Sequence, residues 1–126
     1  MLNKKYKILL IEDDADQILM YQTKFEKDGY EFISANNGTK GLELAKKEKP
    51  DIILLDIVMD EMDGIEVLKR IRADEETSDL KVILLTNLVV KEKIDEGKKF
   101  GALDYIIKSQ VEPSNLVKRV RKFLKN

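Results

Sequence analysis

Five short apolar runs punctuate the chain, at 7–11, 31–35, 52–55, 81–86 and 103–108, and the stretches between them carry apolar residues at helical spacing. The middle run, Ile52-Ile53-Leu54-Leu55, follows Pro50 and has no polar alternation. It therefore reads as a strand buried on both faces. It stops abruptly at a carboxylate, Asp56. Lys7-Ile8-Leu9-Leu10-Ile11 stops in the same way at Glu12-Asp13-Asp14. The run Lys81-Val82-Ile83-Leu84-Leu85-Thr86 ends in a hydroxyl, and Leu103-Asp104-Tyr105-Ile106-Ile107-Lys108 ends in a cation.

The intervening segments have helix punctuation. Asp14-Ala15-Asp16 is a helix entry, since carboxylates at the cap and first turn satisfy free N–H groups; Ile18, Tyr21 and Phe25 follow on one face, with a stop near Asp28-Gly29. After the strand Glu31–Ala35, Asn36-Asn37-Gly38 is a turn, and Thr39 to Lys49 is a helix with Leu42 and Ala45 inward, closed before Pro50. Met62-Asp63-Gly64 turns the chain into a helix carrying Ile65, Val67, Leu68 and Ile71 to about Ala73. A Lys- and Glu-rich helix from Val90 to Phe100 is closed by Gly101, and Pro113 opens a last helix with Leu116, Val117, Val120, Phe123 and Leu124 on one face. Five strands alternating with five helices imply βαβ units with right-handed crossovers, a doubly wound α/β domain around a parallel sheet.

The 126 residues suit a single domain over 1–126, with its core at 7–124 and no output domain in this chain. A net charge of −1 gives no overall pull toward nucleic acid or membrane, and the N-terminal apolar run is too short for a signal peptide core or a span. A cytoplasmic protein is expected. There is no Cys and no His, which removes thiolate and imidazole ligands and leaves oxygen donors suited to a hard cation such as Mg²⁺.

Asp56 alone would be no more than a turn former. In a doubly wound sheet, however, the C-terminal strand ends share one edge, so Glu12, Asp13, Asp56, Thr86 and Lys108 converge there. Clustered carboxylates repel one another, and a Mg²⁺ held by carboxylate, carbonyl and water oxygens is the economical solution.

These residues, in this order, resemble the receiver domains of two-component response regulators. The likeness runs from Lys7 to Leu124. It rests on Glu12-Asp13, on Leu54-Leu55-Asp56-Ile57-Val58-Met59 with Met62-Asp63-Gly64, on Thr86, and on Phe100-Gly101-Ala102-Leu103-Asp104-Tyr105 leading to Lys108. The resemblance implies a flavodoxin-like fold with strand order 2-1-3-4-5. It also implies that Asp56 accepts a phosphoryl group from a histidine kinase or histidine phosphotransfer protein in a Mg²⁺-dependent reaction. Asp13, Asp56, the Val58 carbonyl and Glu12, directly or through water, would hold the metal, and Lys108 would neutralise carboxylate and phosphate. Thr86 and Tyr105 would turn the modification into a surface change read by a downstream protein. Such a chain is a switch that catalyses only its own phosphorylation and dephosphorylation.

Three positions depart from the family. Ser109 replaces the Pro that usually follows the Lys through a cis bond; a cis bond to Ser costs about 2.5–4 kcal/mol, so the site either keeps that strain or becomes trans and displaces Lys108. Asn87 replaces a small residue, where its bulk narrows access to Asp56 or its amide contacts the phosphate. Asp60, where Pro is common, reads as a solvated turn residue. Leu88 and Val58 flank the site and are expected to lengthen the phosphate's life. Other readings are a phosphorylation-independent interaction module, which Ser109 and Asn87 support, and a small aspartyl-nucleophile phosphatase, opposed by Val58 where a second Asp is common. Flavin binding is a poor fit because no Ser-, Thr- and Gly-rich loop follows the first strand. The basic residues of the last helix read as a solvated face, with no direct nucleic acid binding expected.

Overall fold

The computed structural model describes residues 5–124. The first four residues, part of the N-terminal stretch judged too short for a signal peptide, lie outside the described residues, as do the last two. The elements alternate as β1 (Lys7–Ile11), α1 (Ala15–Lys27), β2 (Glu31–Ala35), α2 (Gly38–Glu48), β3 (Ile52–Leu55), α3 (Gly64–Ala73), β4 (Val82–Thr86), α4 (Lys91–Lys99), β5 (Asp104–Ile107) and α5 (Pro113–Leu124). All pairings are parallel and the strand order is β2-β1-β3-β4-β5, so the chain reverses its winding between β1 and β3. The doubly wound fold read from the sequence is the fold found.

Strand periodicity sorts the core into two layers. Ile8, Leu10, Ile52, Leu54, Ile83, Leu85 and Ile106 face one way, against Tyr21 and Phe25 of α1 and Leu116, Val117, Val120 and Leu124 of α5. Leu9, Ile11, Ile53, Leu55, Val82 and Leu84 face the other way, against Ala45 of α2 and Ile65, Leu68 and Ile71 of α3. With both faces covered, β3 and β4 are buried at every residue, which is why their sequences show no alternation.

Helix ends follow local chemistry. The Asp14 carboxylate caps α1 by accepting from the N–H groups of Asp16 at 2.9 Å and Gln17 at 3.2 Å, and Asn37 and Asp63 cap α2 and α3 in the same manner. Gly29, at φ +93°, takes the left-handed position after α1. The helices α2 and α3 each begin one residue earlier than expected, at Gly38 and Gly64, because the caps are Asn37 and Asp63 themselves. One expectation is corrected at β5. The strand stops at Ile107, and Lys108 opens a short 3-10 turn, Lys108–Gln110, that bends its side chain back over the sheet edge.

Candidate functional site

The loops leaving β1, β3, β4 and β5 bring the five singled-out residues to one edge, around a cleft of about 380 Å³ lined by Glu12, Asp13, Asp56, Thr86 and Lys108. Asp56 is one residue past β3. Its backbone N–H donates to the Ile11 carbonyl at 3.1 Å, which ties the carboxylate's base to β1. Its Oδ1 accepts from the Val58 N–H at 3.3 Å and its Oδ2 from the Lys108 Nζ at 2.9 Å. The side chain is 8% exposed, enough for one approach direction.

Lys108 crosses from β5 to serve all three elements. Its ammonium donates to Asp56, to Glu12 Oε1 and to Gln17 Oε1, the last at 2.6 Å, so its three protons are all engaged. Burial is the largest single influence and would lower its pKa. The hydrogen bonds and charges of Glu12 and Asp56 together outweigh burial and hold the pKa above its ordinary value. Glu12 is nearly sealed from solvent, and burial pushes its carboxyl upward against the Lys108 ammonium and the Asp14 N–H, which pull it down. Both Glu12 oxygens are used, Oε1 by Lys108 and Oε2 by the Asp14 N–H at 3.0 Å. Asp13, by contrast, is exposed, and its Oδ2 accepts only a long bond, 3.4 Å, from the Asp60 N–H.

Carboxylate oxygens of Glu12, Asp13 and Asp56 lie within 4.8 Å of one another. Three hard anionic donors with an open solvent side fit Mg²⁺, which prefers oxygen and retains several waters. The exposed Asp13 has lone pairs to offer directly, whereas both oxygens of Glu12 and of Asp56 already accept one hydrogen bond each.

Thr86 and Tyr105 converge on the backbone of one residue, Leu88. The buried Thr86 Oγ1 accepts from the Leu88 N–H at 3.3 Å, and the Tyr105 hydroxyl donates to the Leu88 carbonyl at 2.6 Å. Burial, with the Asp56 charge adding, raises the Tyr105 pKa and so keeps its hydroxyl a donor.

The departures from the family resolve as follows. No peptide bond among the described residues is cis, so Lys108–Ser109 is trans, yet Lys108 is not displaced. The 3-10 turn accounts for this: the Ser109 N–H donates to Asn87 Oδ1 at 2.8 Å, which ties the turn to the loop after β4. Val58, at 59% exposed, and Leu88 both line the cleft around Asp56. Asp60 is exposed, as a solvated turn residue should be. Gln17 was not singled out from the sequence; the available signal was its place in the first turn of α1, facing the edge that Glu12 defines.

A family model described as the response regulator receiver domain matches residues 8–121. Protein PilH of Pseudomonas aeruginosa is 34% identical over 118 residues, covering 94% of this chain and 97% of that protein. Sporulation initiation phosphotransferase F of Bacillus subtilis is 37% identical over 108 residues, 86% of this chain and 84% of that one. Among solved structures, the chemotaxis protein CheY4 of Vibrio cholerae superimposes with a TM-score of 0.88 at 28% identity, covering 95% of this chain and 99% of that one. Matched by this family model over residues 8–121 and by relatives over nearly its whole length, the chain belongs to the response regulator receiver domain family.

Proposed function

We propose that the chain is a phosphorylation switch in which Asp56 accepts a phosphoryl group from the phosphohistidine of a partner kinase or phosphotransfer protein. The observation that carries this reading is the Asp56 carboxylate held at 2.9 Å from the Lys108 ammonium, beside two further carboxylates and open to the cleft. An Asp56 oxygen attacks phosphorus, the P–N bond to the donor imidazole breaks, and the imidazole leaves with the electron pair. The product is an acyl phosphate on Asp56. Catalysis of this kind is positioning plus compensation of spread negative charge. Lys108 moves from the carboxylate toward the phosphoryl oxygens while Glu12 and Gln17 retain their share of its protons. Asp13, Asp56 and the Val58 carbonyl, with Glu12 through water, would hold a Mg²⁺, which would supply further compensation of that charge. Hydrolysis reverses the modification, with water as the attacking group.

The readout begins at Thr86. A hydroxyl can accept from the Leu88 N–H while donating its own proton to a phosphoryl oxygen, so turning the side chain toward Asp56 pulls on the Leu88 peptide. The Leu88 carbonyl, one peptide further on, accepts from Tyr105, and the pull reaches β5 and the start of α4 through this one residue. A downstream protein reads the altered surface. None of the described helices is long and apolar enough to cross a membrane. The phosphorylation-independent reading loses its main support, because the trans turn at Ser109 leaves Lys108 on Asp56.

The test is incubation with acetyl phosphate, with Mg²⁺ or with EDTA, followed by intact mass. One phosphoryl group is gained only with Mg²⁺, and Asp56→Asn gains none. A parent protein that stays unmodified and also fails to bind beryllofluoride refutes the proposal.

A further inference from the structure

Two carboxamides at the rim of the cleft have their orientation fixed by partners that can only donate. Gln17 Oε1 accepts from the Lys108 ammonium at 2.6 Å, and Asn87 Oδ1 accepts from the Ser109 N–H at 2.8 Å. Neither an ammonium nor a backbone N–H offers a lone pair, so flipping either amide would set donor against donor. The planar group then fixes the other end as well. Each NH₂ is the end left over, neither donates to any described residue, and both side chains line the cleft above Asp56.

A phosphoryl group entering this cleft meets three carboxylates and needs donors. Lys108 arrives with all three protons engaged and can release only the one held by Asp56 without abandoning Glu12 or Gln17. Thr86 offers one more. Asn87 follows Thr86 directly in the chain, and Gln17 stands on α1, which enters from the opposite side of β3 in the strand order. The two amides therefore flank the incoming group from two separate elements, as neutral donors that add no charge to the site.

We propose that Gln17 and Asn87 form a phosphoryl-recognition rim, their NH₂ groups donating to oxygens of the phosphoryl group delivered to Asp56. The inference rests on the reading of Asp56 as the acceptor and adds the residues that grip what it receives. Ser109 gains a role by the same argument: its N–H, which a proline would lack, sets the Asn87 amide.

The test uses Asn87→Ala and Asn87→Asp, and Gln17→Met and Gln17→Glu, in the full chain. The Asp and Glu variants keep the oxygen that accepts from Ser109 or Lys108 and exchange the NH₂ for a second, charged oxygen, whereas the Ala and Met variants remove the donor without adding charge. Beryllofluoride saturation at fixed Mg²⁺ is followed by ¹⁹F NMR, acetyl phosphate half-saturation by intact mass, and folding by the thermal midpoint of the unligated protein. Loss of one hydrogen bond to a charged group weakens beryllofluoride binding about tenfold in the Ala and Met variants, and the added negative charge weakens it further in the Asp and Glu variants, with acetyl phosphate half-saturation raised comparably and the thermal midpoint little moved. Two results overturn the rim: Asn87→Ala reacting as fast as the parent or faster, the outcome if Asn87 only obstructs access, or the Asp and Glu variants binding like the parent, the outcome if the amides only tether. Either leaves Asp56 as acceptor standing. A parent that neither gains a phosphoryl group nor binds beryllofluoride overturns the acceptor and the rim together.

Discussion

Replacing Gly64 with alanine sets two effects of opposite sign against each other at the base of the acceptor loop. Gly64 is the first residue of α3, and in a helix alanine is favoured over glycine by about 1 kcal/mol, so local propensity predicts stabilisation. The space around it predicts the reverse. A Cβ at this position would collide with the Asp56 carbonyl oxygen and lie 2.7 Å from the Ile57 Cα. Both neighbours are backbone, and the Gly64 N–H is itself tied to the Ile57 carbonyl at 2.9 Å, so no side chain can swing aside. Overpacking costs about 1–3 kcal/mol where neighbours can adjust, and the rigid partners here place this site at the upper end. Subtracting the propensity gain leaves a net loss of about 2 kcal/mol, or roughly 6–10 °C in thermal midpoint for a domain of this size. Because the peptide that must yield is that of Asp56, acetyl phosphate uptake should fall as well, in the fraction that remains folded. Urea unfolding followed by circular dichroism, with intact-mass kinetics in parallel, reads both. A Gly64→Ala protein as stable as the parent would show that the loop relaxes freely and that the close approach does not hold Asp56 in place.

Lys108→Met should cut phosphoryl uptake about a hundredfold by removing the one cation from the reacting atoms, measured by intact mass against the parent; a loss under threefold would mean Lys108 is not aimed at the transferred group. Tyr105→Phe removes the donor to the Leu88 carbonyl, so uptake should stay within about threefold of the parent while amide exchange around Leu88 accelerates by roughly fivefold, consistent with about 1 kcal/mol for one bond. Arg72 donates to the carbonyls of Ser78, Leu80, Phe100 and Gly101, pinning the C-terminal end of α4 to α3, and Arg72→Ala should lower urea stability by about 2 kcal/mol. Glu48 bonds Lys7 at 3.0 Å, and that bond holds its carboxyl below the ordinary value near 4.5. A pKa lower in the folded than in the unfolded state stabilises above the unfolded value and is lost as pH falls through the folded one. Glu48→Gln should therefore lower stability near neutrality and converge on the parent as pH falls below about 4.5, where the parent's Glu48 is protonated, as thermal scans across pH would register.

The hydrophobic pattern of this chain determined its architecture. Unbroken apolar runs such as Ile52–Leu55 can only be strands covered on both sides, and the alternation of such runs with helical spacing leaves few topologies. The site was legible for the same reason. A carboxylate or a hydroxyl ending a buried strand must sit at its rim, so Glu12, Asp13, Asp56 and Thr86 could be gathered to one edge before any coordinates existed. Lys108 was gathered with them, although the strand it was read as ending stops one residue earlier. Contacts made by the free ends of side chains depend on distances that no local pattern encodes, and these the tertiary structure alone decided. The third proton of Lys108 goes to Gln17, 91 residues away, and Ser109 reaches Asn87 across 22 residues, turning a suspected defect into a tie that keeps the lysine on Asp56. Leu88 became a junction only because Thr86 accepts from its N–H and Tyr105 donates to its carbonyl. Periodicity is a local property of the chain and survives reading in one dimension, whereas the partners of a long polar side chain are fixed only when the sheet brings separate loops together.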